Sequence, residues 1–379
     1  MAYKTRVHAV FPNYCSGTWV SYTLMSLLDN MHGVEVDTHA YVLGKAPAIS
    51  NSRASALLPN VFYSRTIKLL SNPCDLIVRR FSRKFERGDI VYFWLTNPVA
   101  TVKRLQQRGI VVVREMINCT KLRRRREMQS AYSLLGQTDP SAISDDDINR
   151  ERAELLSVDA VFCPSEFVLE SVLEYGVPAH RCVSASYGWG ADRIVTTSVH
   201  PRNTREIAVL FVGTGDVRKG LPWLLEAWER AGVDGKLLLA GVIDDEIKAR
   251  YSRILARHDV RALGYVEDIA GVFRSADIFC FPSWEEGAPL VTIEAMASGL
   301  PCIVTPMGGA GFVKDSHDGI IVRPGDVEGI AAAIRRLASS ESARKELGNQ
   351  GMITARDFTW QSVAQHRVRE LIRIARAHG

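Results

Sequence analysis

What most constrains this chain is an alternation of short β-branched runs with longer amphipathic ones, which runs its course once and then starts again. That alternation is the mark of parallel α/β units. In the first half the strand-like runs are Arg6–Phe11, Val34–Val42, Asp89–Leu95, Ile110–Arg114 and Ala160–Pro164, with helix-like runs such as Trp19–Asn30, Pro98–Gln107 and Phe167–Tyr175 between them. The second half opens again on Ile207–Val212 and Leu221–Ala231. It continues through Lys236–Ala240, Asp244–Arg257, Val260–Leu263, Asp277–Phe281, Pro289–Ser298 and Ile303–Thr305. Residues 191–205 carry Thr, Ser, Pro and Asn without apolar periodicity and read as the connection. A last helix spans roughly Trp360–Ala377.

At 379 residues the chain is long enough for two domains of similar size, each able to bury its own core. The expected boundaries are 1–195, a linker at 196–205, 206–357, and a final helix at 358–379. The expected architecture is α/β: two Rossmann-like, doubly wound domains facing a cleft, with ligands beyond the carboxyl ends of the strands. Hydrophobic residues at 46% and charged ones at 23% are ordinary globular usage. No apolar run is long enough to span a bilayer, and the start of the chain lacks the zones of a signal peptide. Cys15, Cys74, Cys119, Cys163, Cys182, Cys280 and Cys302 show no metal-ligand spacing, and their odd number fits reduced thiols and a cytoplasmic address. A net charge of +5 suits an anionic ligand or a membrane surface and falls short of a nucleic-acid footprint.

The most informative stretch is Phe279-Cys280-Phe281-Pro282-Ser283-Trp284-Glu285-Glu286-Gly287-Ala288-Pro289-Leu290-Val291-Thr292-Ile293-Glu294. An apolar strand ends at Phe281, a polar loop follows, and a helix starts near Pro289, a residue suited to the first helical position. Gly299 ends that helix, with Pro301 just beyond. Glu286 is therefore expected at the strand's carboxyl end and Glu294 in the second turn of the helix. The helix start offers backbone N–H groups and positive dipole to phosphate oxygens. Two carboxylates flanking an anion seat can accept hydrogen bonds from sugar hydroxyls, a combination that fits a nucleoside diphosphate sugar. Val212-Gly213-Thr214-Gly215-Asp216-Val217-Arg218-Lys219-Gly220 is neither a dinucleotide fingerprint nor a P-loop. It supplies a strand-to-helix turn with adjacent cations, suited to a pyrophosphate.

These residues resemble glycosyltransferase family 4, the retaining enzymes of the GT-B fold. Glu286 and Glu294, with seven residues between them, match that family's glutamate signature, and Arg218-Lys219-Gly220 its phosphate-binding turn. Leu263-Gly264-Tyr265-Val266-Glu267-Asp268, Cys163-Pro164-Ser165-Glu166 and Tyr187-Gly188-Trp189-Gly190 are further matches. The resemblance covers residues 160–310 and reaches the N-terminal half only in outline. It implies that Glu294 binds the ribose hydroxyls, Glu286 the donor sugar, and Arg218 and Lys219 the leaving diphosphate. Gly287, Ala288, Pro289, Leu290 and Val291 would hold phosphate and sugar through backbone amides, and Tyr265 and Val266 would line the base. It also implies transfer with retention to a glycan, lipid-linked or small acceptor, with no metal and no cofactor beyond the donor. A nucleotide-sugar epimerase or hydrolase, or an inactive partner of a transferase, are the alternatives on the same fold.

The departures lie in the first half. Gly17, in Pro12-Asn13-Tyr14-Cys15-Ser16-Gly17-Thr18-Trp19, stands where the family often has a glycine-rich loop. Beyond the fourth strand the family's histidine is replaced by Arg114-Glu115-Met116-Ile117-Asn118, which leaves Glu115 or Asn118 to contact the sugar. Residues 117–147 read as an extra helix plus a loop, with Arg123–Arg126 as a solvated face or a seat for an anionic acceptor. Asp145-Asp146-Asp147 after Ser144 reads as a capped helix start. Trp223 and Trp228 read as core. Between 76 and 87, Arg79, Arg80, Arg83, Lys84 and Arg87 interleave with Leu76, Ile77, Val78, Phe81 and Phe85. The pattern fits a helix resting on anionic lipid or a surface helix with a solvated charged face.

Overall fold

In the computed structural model, which describes residues 4–33, 35–50, 52–59, 72–194 and 206–378, each round of the alternation becomes its own parallel sheet. The expected linker at 196–205 and the stretch 64–71 lie outside the described residues. Seven strands build the first sheet: β1 (Thr5–Cys15), β2 (Val36–Lys45), β3 (Ala54–Ala56), β4 (Ile90–Trp94), β5 (Val111–Glu115), β6 (Ala160–Cys163) and β7 (Cys182–Ser184). Their order is β3-β2-β1-β4-β5-β6-β7. The second sheet holds β8 (Ile207–Val212), β9 (Gly235–Ala240), β10 (Val260–Gly264), β11 (Ile278–Phe281), β12 (Cys302–Val304) and β13 (Gly319–Ile321), ordered β10-β9-β8-β11-β12-β13. All pairings are parallel. Helices cover the faces, so inner strands such as Ile90–Trp94 are buried along their whole length and read as continuous apolar runs.

Winding starts at β1 in one sheet and at β8 in the other, runs outward, and then returns to the far side. The strand order therefore reverses between β1 and β4, and between β8 and β11. At those points the loops leaving neighbouring strands diverge to opposite faces and open a crevice at the carboxyl edge.

Two compact units result, and they do not follow chain order everywhere. The first comprises Met1–Lys121, Ile143–Tyr187 and Trp360–Gly379; the second comprises Leu122–Ala142 and Gly188–Thr359. The final helix, Trp360–His378, is thus part of the first unit. It buries Trp360, Val363, Ala364, Leu371 and Ile374, and Trp360 Nε1 donates to Tyr22 Oη at 3.3 Å. Arg367 on that helix is fully buried against β5: Nη1 donates to Glu115 Oε2 at 2.7 Å and Nη2 to Glu115 Oε1 at 3.1 Å. The same guanidinium donates to Tyr92 Oη at 2.7 Å, and Tyr187 Oη donates to Glu115 Oε1 at 2.8 Å. Glu115 is therefore held by the fold, and the expectation that it could substitute for the family histidine is corrected: its carboxylate is fully buried and occupied.

Most predicted elements appear within a residue or two. The run Asp244–Arg257 is an exception, splitting into helices Asp245–Arg250 and Ser252–Leu255. Tyr251 turns out of helical geometry between them and donates its hydroxyl to Glu226 at 3.0 Å. Strands β3, β7 and β13 have three residues each, too few for a period-two signal to register. Ser144 and Asp147 form a capping box at the start of helix Asp145–Ser157, so the acidic triplet is a helix start as read. Trp223 and Trp228 are core residues, 4% and 1% exposed.

The basic segment folds as helix Pro73–Phe81 followed by the 3-10 turn Ser82–Lys84. Ile77, Val78, Phe81 and Phe85, the side that would enter a lipid interface, are buried in the first unit, where Phe81 and Phe85 pack on Tyr41. Arg79, Arg80, Arg83, Lys84 and Arg87 are exposed. A solvated charged face over an internal apolar one is what the structure shows. Among the described residues no helix is long and apolar enough to cross a membrane.

The buried pair sets a stability expectation. Arg367→Ala leaves the Glu115 carboxylate buried without its counter-charge and should cost about 3–5 kcal/mol. Denaturant unfolding should show this loss, and the double variant Arg367→Met/Glu115→Gln should lose less than Arg367→Ala.

Candidate active site

The second unit's crevice is formed by the loops that leave β8 and β11, and three contacts stitch those loops together. Trp284 N donates to Arg218 O at 2.8 Å, and Ser283 Oγ to the same oxygen at 3.0 Å. The third is a close approach: Gly220 has φ +77°, and a Cβ there would stand 2.0 Å from the Pro282 carbonyl oxygen. Only glycine satisfies both conditions. Gly220 then caps helix Leu221–Ala231, so the turn that passes Pro282 also starts a helix.

Stitching brings the predicted charges into contact. Lys219 Nζ donates to Glu286 Oε1, and Ser283 Oγ lies 3.0 Å from that oxygen, sharing its hydroxyl hydrogen between it and the Arg218 carbonyl. Arg218 Nη1 lies 3.6 Å from Glu286 Oε1 and 3.5 Å from Glu285 Oε2. The Lys219 ammonium also stands 5.3 Å from the centre of the Phe281 ring, and its backbone N–H is held by Asp216 Oδ1 at 2.7 Å. Arg218, Lys219 and Glu286 thus form one mostly buried cluster, with Glu286 only 5% exposed.

Glu285 is fully buried beside it. Burial pushes its carboxyl above the ordinary value, and the Arg218 charge opposes that shift without cancelling it. Glu286 adds to the rise by like charge, while Arg124 and Lys219 act with Arg218. Arg124 comes from helix Lys121–Leu134, so the Arg123–Arg126 run belongs to the unit that holds this cluster from Leu122 onward. Gln137 donates to Glu246, and Arg250 Nη2 to Leu135 O at 2.9 Å, fastening that segment in place.

Helix Leu290–Ala297 begins one residue later than expected, with Pro289 as its N-cap at φ −70° and ψ 116°. Gly287, Ala288 and Pro289 are buried in the loop; Leu290 and Val291 are half-buried at the helix start, where first-turn N–H groups lack intrahelical acceptors. Glu294, one turn on, is buried and accepts from Arg193 Nε at 2.5 Å. Gly299, at φ +80°, follows the helix end as read.

Tyr265 and Val266 follow β10, two strands away along the same carboxyl edge. Gly241 N donates to Gly264 O at 2.7 Å, tying the turns after β9 and β10 together. Tyr265 is 69% exposed, Val242 59% and Leu263 39%, which makes an open apolar rim. Gly17 and Asn118 lie in the first unit. Gly17, at φ +81°, turns the chain from β1 into helix Trp19–Met31 and donates its N–H to Ser21 Oγ at 3.0 Å. Asn118 is half-buried in the turn after β5.

Sequence reasoning passed over four contributors. Ser283 and Asp216 hold the cluster by hydrogen bonds that spacing does not reveal. Glu285 stood beside Glu286 in the motif without an assigned part. Arg193 fell in the unpatterned stretch, where a single cation carries no signal. Among the described residues no group of three or more His, Cys, Asp or Glu is placed to hold a metal ion.

Two parallel, doubly wound sheets with this strand order have the architecture of the GT-B fold. Residues 206–340 match the model of the family described as glycosyl transferases group 1. The chain is 28% identical over 204 residues to O-antigen chain mannosyltransferase B of Escherichia coli, covering 46% of this chain and 53% of that protein. It spans about half the length of the curated relatives it matches. Sucrose-phosphate synthase from Thermosynechococcus elongatus superposes with a TM-score of 0.74 at 19% identity, covering 99% of this chain and 100% of that one. Anabaena HepE in complex with UDP gives 0.73 at 14% identity, covering 97% and 100%. At such identities the likeness establishes the fold.

Two outcomes test the geometry. Gly220→Ala forces a side chain onto the Pro282 carbonyl in a left-handed conformation and should destabilise by more than about 1 kcal/mol, read as a lowered melting temperature. For Glu285 the folded value lies above the unfolded one. Its contribution is therefore fully present below about pH 4.3, the ordinary glutamate value, and is lost as pH rises through the folded value. Glu285→Gln should raise the melting temperature at pH 7.5 and leave it unchanged at pH 4, as scanning calorimetry at both pH values would show.

Proposed function

We propose that this chain is a retaining, metal-independent glycosyltransferase. It moves a sugar from a nucleoside diphosphate sugar to a glycan, lipid-linked or small-molecule acceptor in surface polysaccharide synthesis. The observation that carries the reading is the contact of Arg218, Lys219 and Glu286 at the point where the second sheet reverses its order. There, two cations meet a carboxylate beside a helix start.

The chemistry follows from those charges. A donor diphosphate supplies anionic oxygens to Arg218 and Lys219, and charge-assisted bonds to them strengthen as the leaving group gains charge. Glu286, relieved of part of its pairing with Lys219, accepts hydrogen bonds from the donor sugar and orients it. Glu294 accepts from the ribose hydroxyls. The rim of Val242, Leu263 and Tyr265 offers the base an apolar surface. The bond from the anomeric carbon to the phosphate oxygen breaks, and the acceptor oxygen bonds to that carbon on the same face. The acceptor proton passes to the departing phosphate oxygen, and the nucleoside diphosphate leaves. Arg218 and Lys219 supply the positive charge that a divalent ion provides in metal-dependent transferases.

The names of relatives support the pathway: the E. coli relative is an O-antigen chain mannosyltransferase, and HepE was crystallised with UDP. Peripheral contact with an anionic membrane is the secondary part of the proposal. It rests on the exposed Arg79, Arg80, Arg83 and Lys84 and acts mainly by charge, because Leu76 is the one exposed residue of the apolar set Leu76, Ile77, Val78, Phe81 and Phe85.

The test is a melting-temperature screen against UDP, GDP, ADP and their sugar conjugates, since a ligand that binds only the folded state raises the midpoint. One base should give a shift that Glu294→Ala abolishes. With that donor and an acceptor extract, Glu286→Ala should lower turnover about 10³-fold, and EDTA should leave wild-type turnover unchanged. Wild-type turnover in Glu286→Ala, or conversion of the donor to an epimer without acceptor, would sink the assignment.

A further inference from the structure

Glu294 already has a cationic partner, Arg193, seated on its carboxylate. Arg193 Nε lies 2.5 Å from Glu294 Oε1 and Nη2 lies 3.4 Å from Oε2, while the glutamate side chain is only 1% exposed. A carboxylate buried that deeply keeps its charge through an ion pair. Ribose hydroxyls cannot reach an oxygen that water cannot touch, so the pair has to open before a donor can bind there. Arg193 is the more exposed member of the pair, with 36% of its side chain exposed against 1% for Glu294, so it is the member we take to move.

The backbone beneath Arg193 is anchored, which makes the movement a side-chain rotation. Arg193 ends the 3-10 turn Ala191–Arg193. Just before it, Trp189 N donates to Phe358 O at 2.9 Å, and Trp189 Nε1 donates to Ala355 O at 2.7 Å. The indole and the bridge from Trp189 to Thr359 fix the start of the turn within the second unit. The stretch Gly188-Trp189-Gly190 therefore has a physical role, which is to deliver Arg193 to Glu294.

We propose that Arg193 sets the affinity of the donor site by occupying the place of the ribose diol on Glu294, and that the donor exchanges with it. The inference rests on the donor reading above. Ligand-free protein gains the Arg193–Glu294 pair, and the donor complex forgoes it, so the pair works against binding by the free energy it contributes. An uncharged residue at 193 strains the ligand-free state, with its carboxylate left less compensated, and leaves the complex as it was. Binding then tightens while the unliganded protein melts earlier. A fixed orienting partner would behave in the opposite way, since its loss would disorder the carboxylate in the complex.

The experiment is calorimetric titration of wild type, Arg193→Gln and Arg193→Lys with the nucleoside diphosphate that shifts wild-type melting, and with its 2′,3′-dideoxy analogue. Arg193→Gln should bind the diphosphate about tenfold more tightly, about 1.4 kcal/mol, with a lower melting temperature when unliganded. Arg193→Lys, which keeps the charge, should fall between. The dideoxy analogue has no diol to exchange and should gain nothing from either substitution. Weaker or unchanged binding by Arg193→Gln overturns the exchange, as does equal tightening of the dideoxy analogue. If Arg193→Gln does not fold, binding by Arg193→Lys that is no tighter than wild type overturns it. Glu294→Ala separates the two levels. Loss of binding in that variant upholds the donor reading even if the exchange fails, whereas no binding by wild type to any nucleotide removes both.

Discussion

The site depends on how closely two loops can pass. A parallel sheet that reverses its winding leaves a gap between neighbouring strands, and left to itself that gap is an open notch. Here the notch is drawn shut at its base because Gly220 lets the chain run against the Pro282 carbonyl, and Ser283 and Trp284 bond to the carbonyl of Arg218. From that one approach follow the positions of Arg218, Lys219, Glu285 and Glu286, and the start of the helix that buries Leu221, Leu224 and Leu225.

Charge is then distributed under a strict rule. Glu285, Glu286 and Glu294 are all buried, and each has a cation beside it: Arg218, Lys219 and Arg193 respectively. Three buried carboxylates without these partners would unfold the crevice. With them, positive and negative groups stand within a few ångströms of one another. The first unit uses the same pairing for another end, since its Arg367–Glu115 pair is sealed by Tyr92 and Tyr187 and serves only to fasten a helix.

Much of this was legible in the amino-acid order. Ile207–Val212 and Leu221–Ala231 come out residue for residue, because the first is an unbroken apolar run and the second carries helical periodicity with a glycine at each end. The glutamate stretch placed Glu286 after a strand and Glu294 on a helix, as observed. What periodicity could not give is pairing across the chain. Glu115 looked like a ligand-facing replacement because its partner Arg367 lies far along the sequence, where spacing gives no sign of a pairing. Arg193 was hidden for the same reason. The basic segment was ambiguous because charged and apolar residues at helical spacing look alike whether the apolar side meets lipid or Tyr41.

The grouping of chain segments has a consequence for modularity. The polypeptide passes from the first unit to the second after Lys121, returns at Ile143, leaves again after Tyr187 and comes back at Trp360. Neither unit is a continuous stretch of gene. A crossover placed in the unpatterned region near 200 would separate Leu122–Ala142 from the sheet it serves, and Trp360–His378 from Glu115. Recombination of whole halves at that point would therefore break packing inside both units at once.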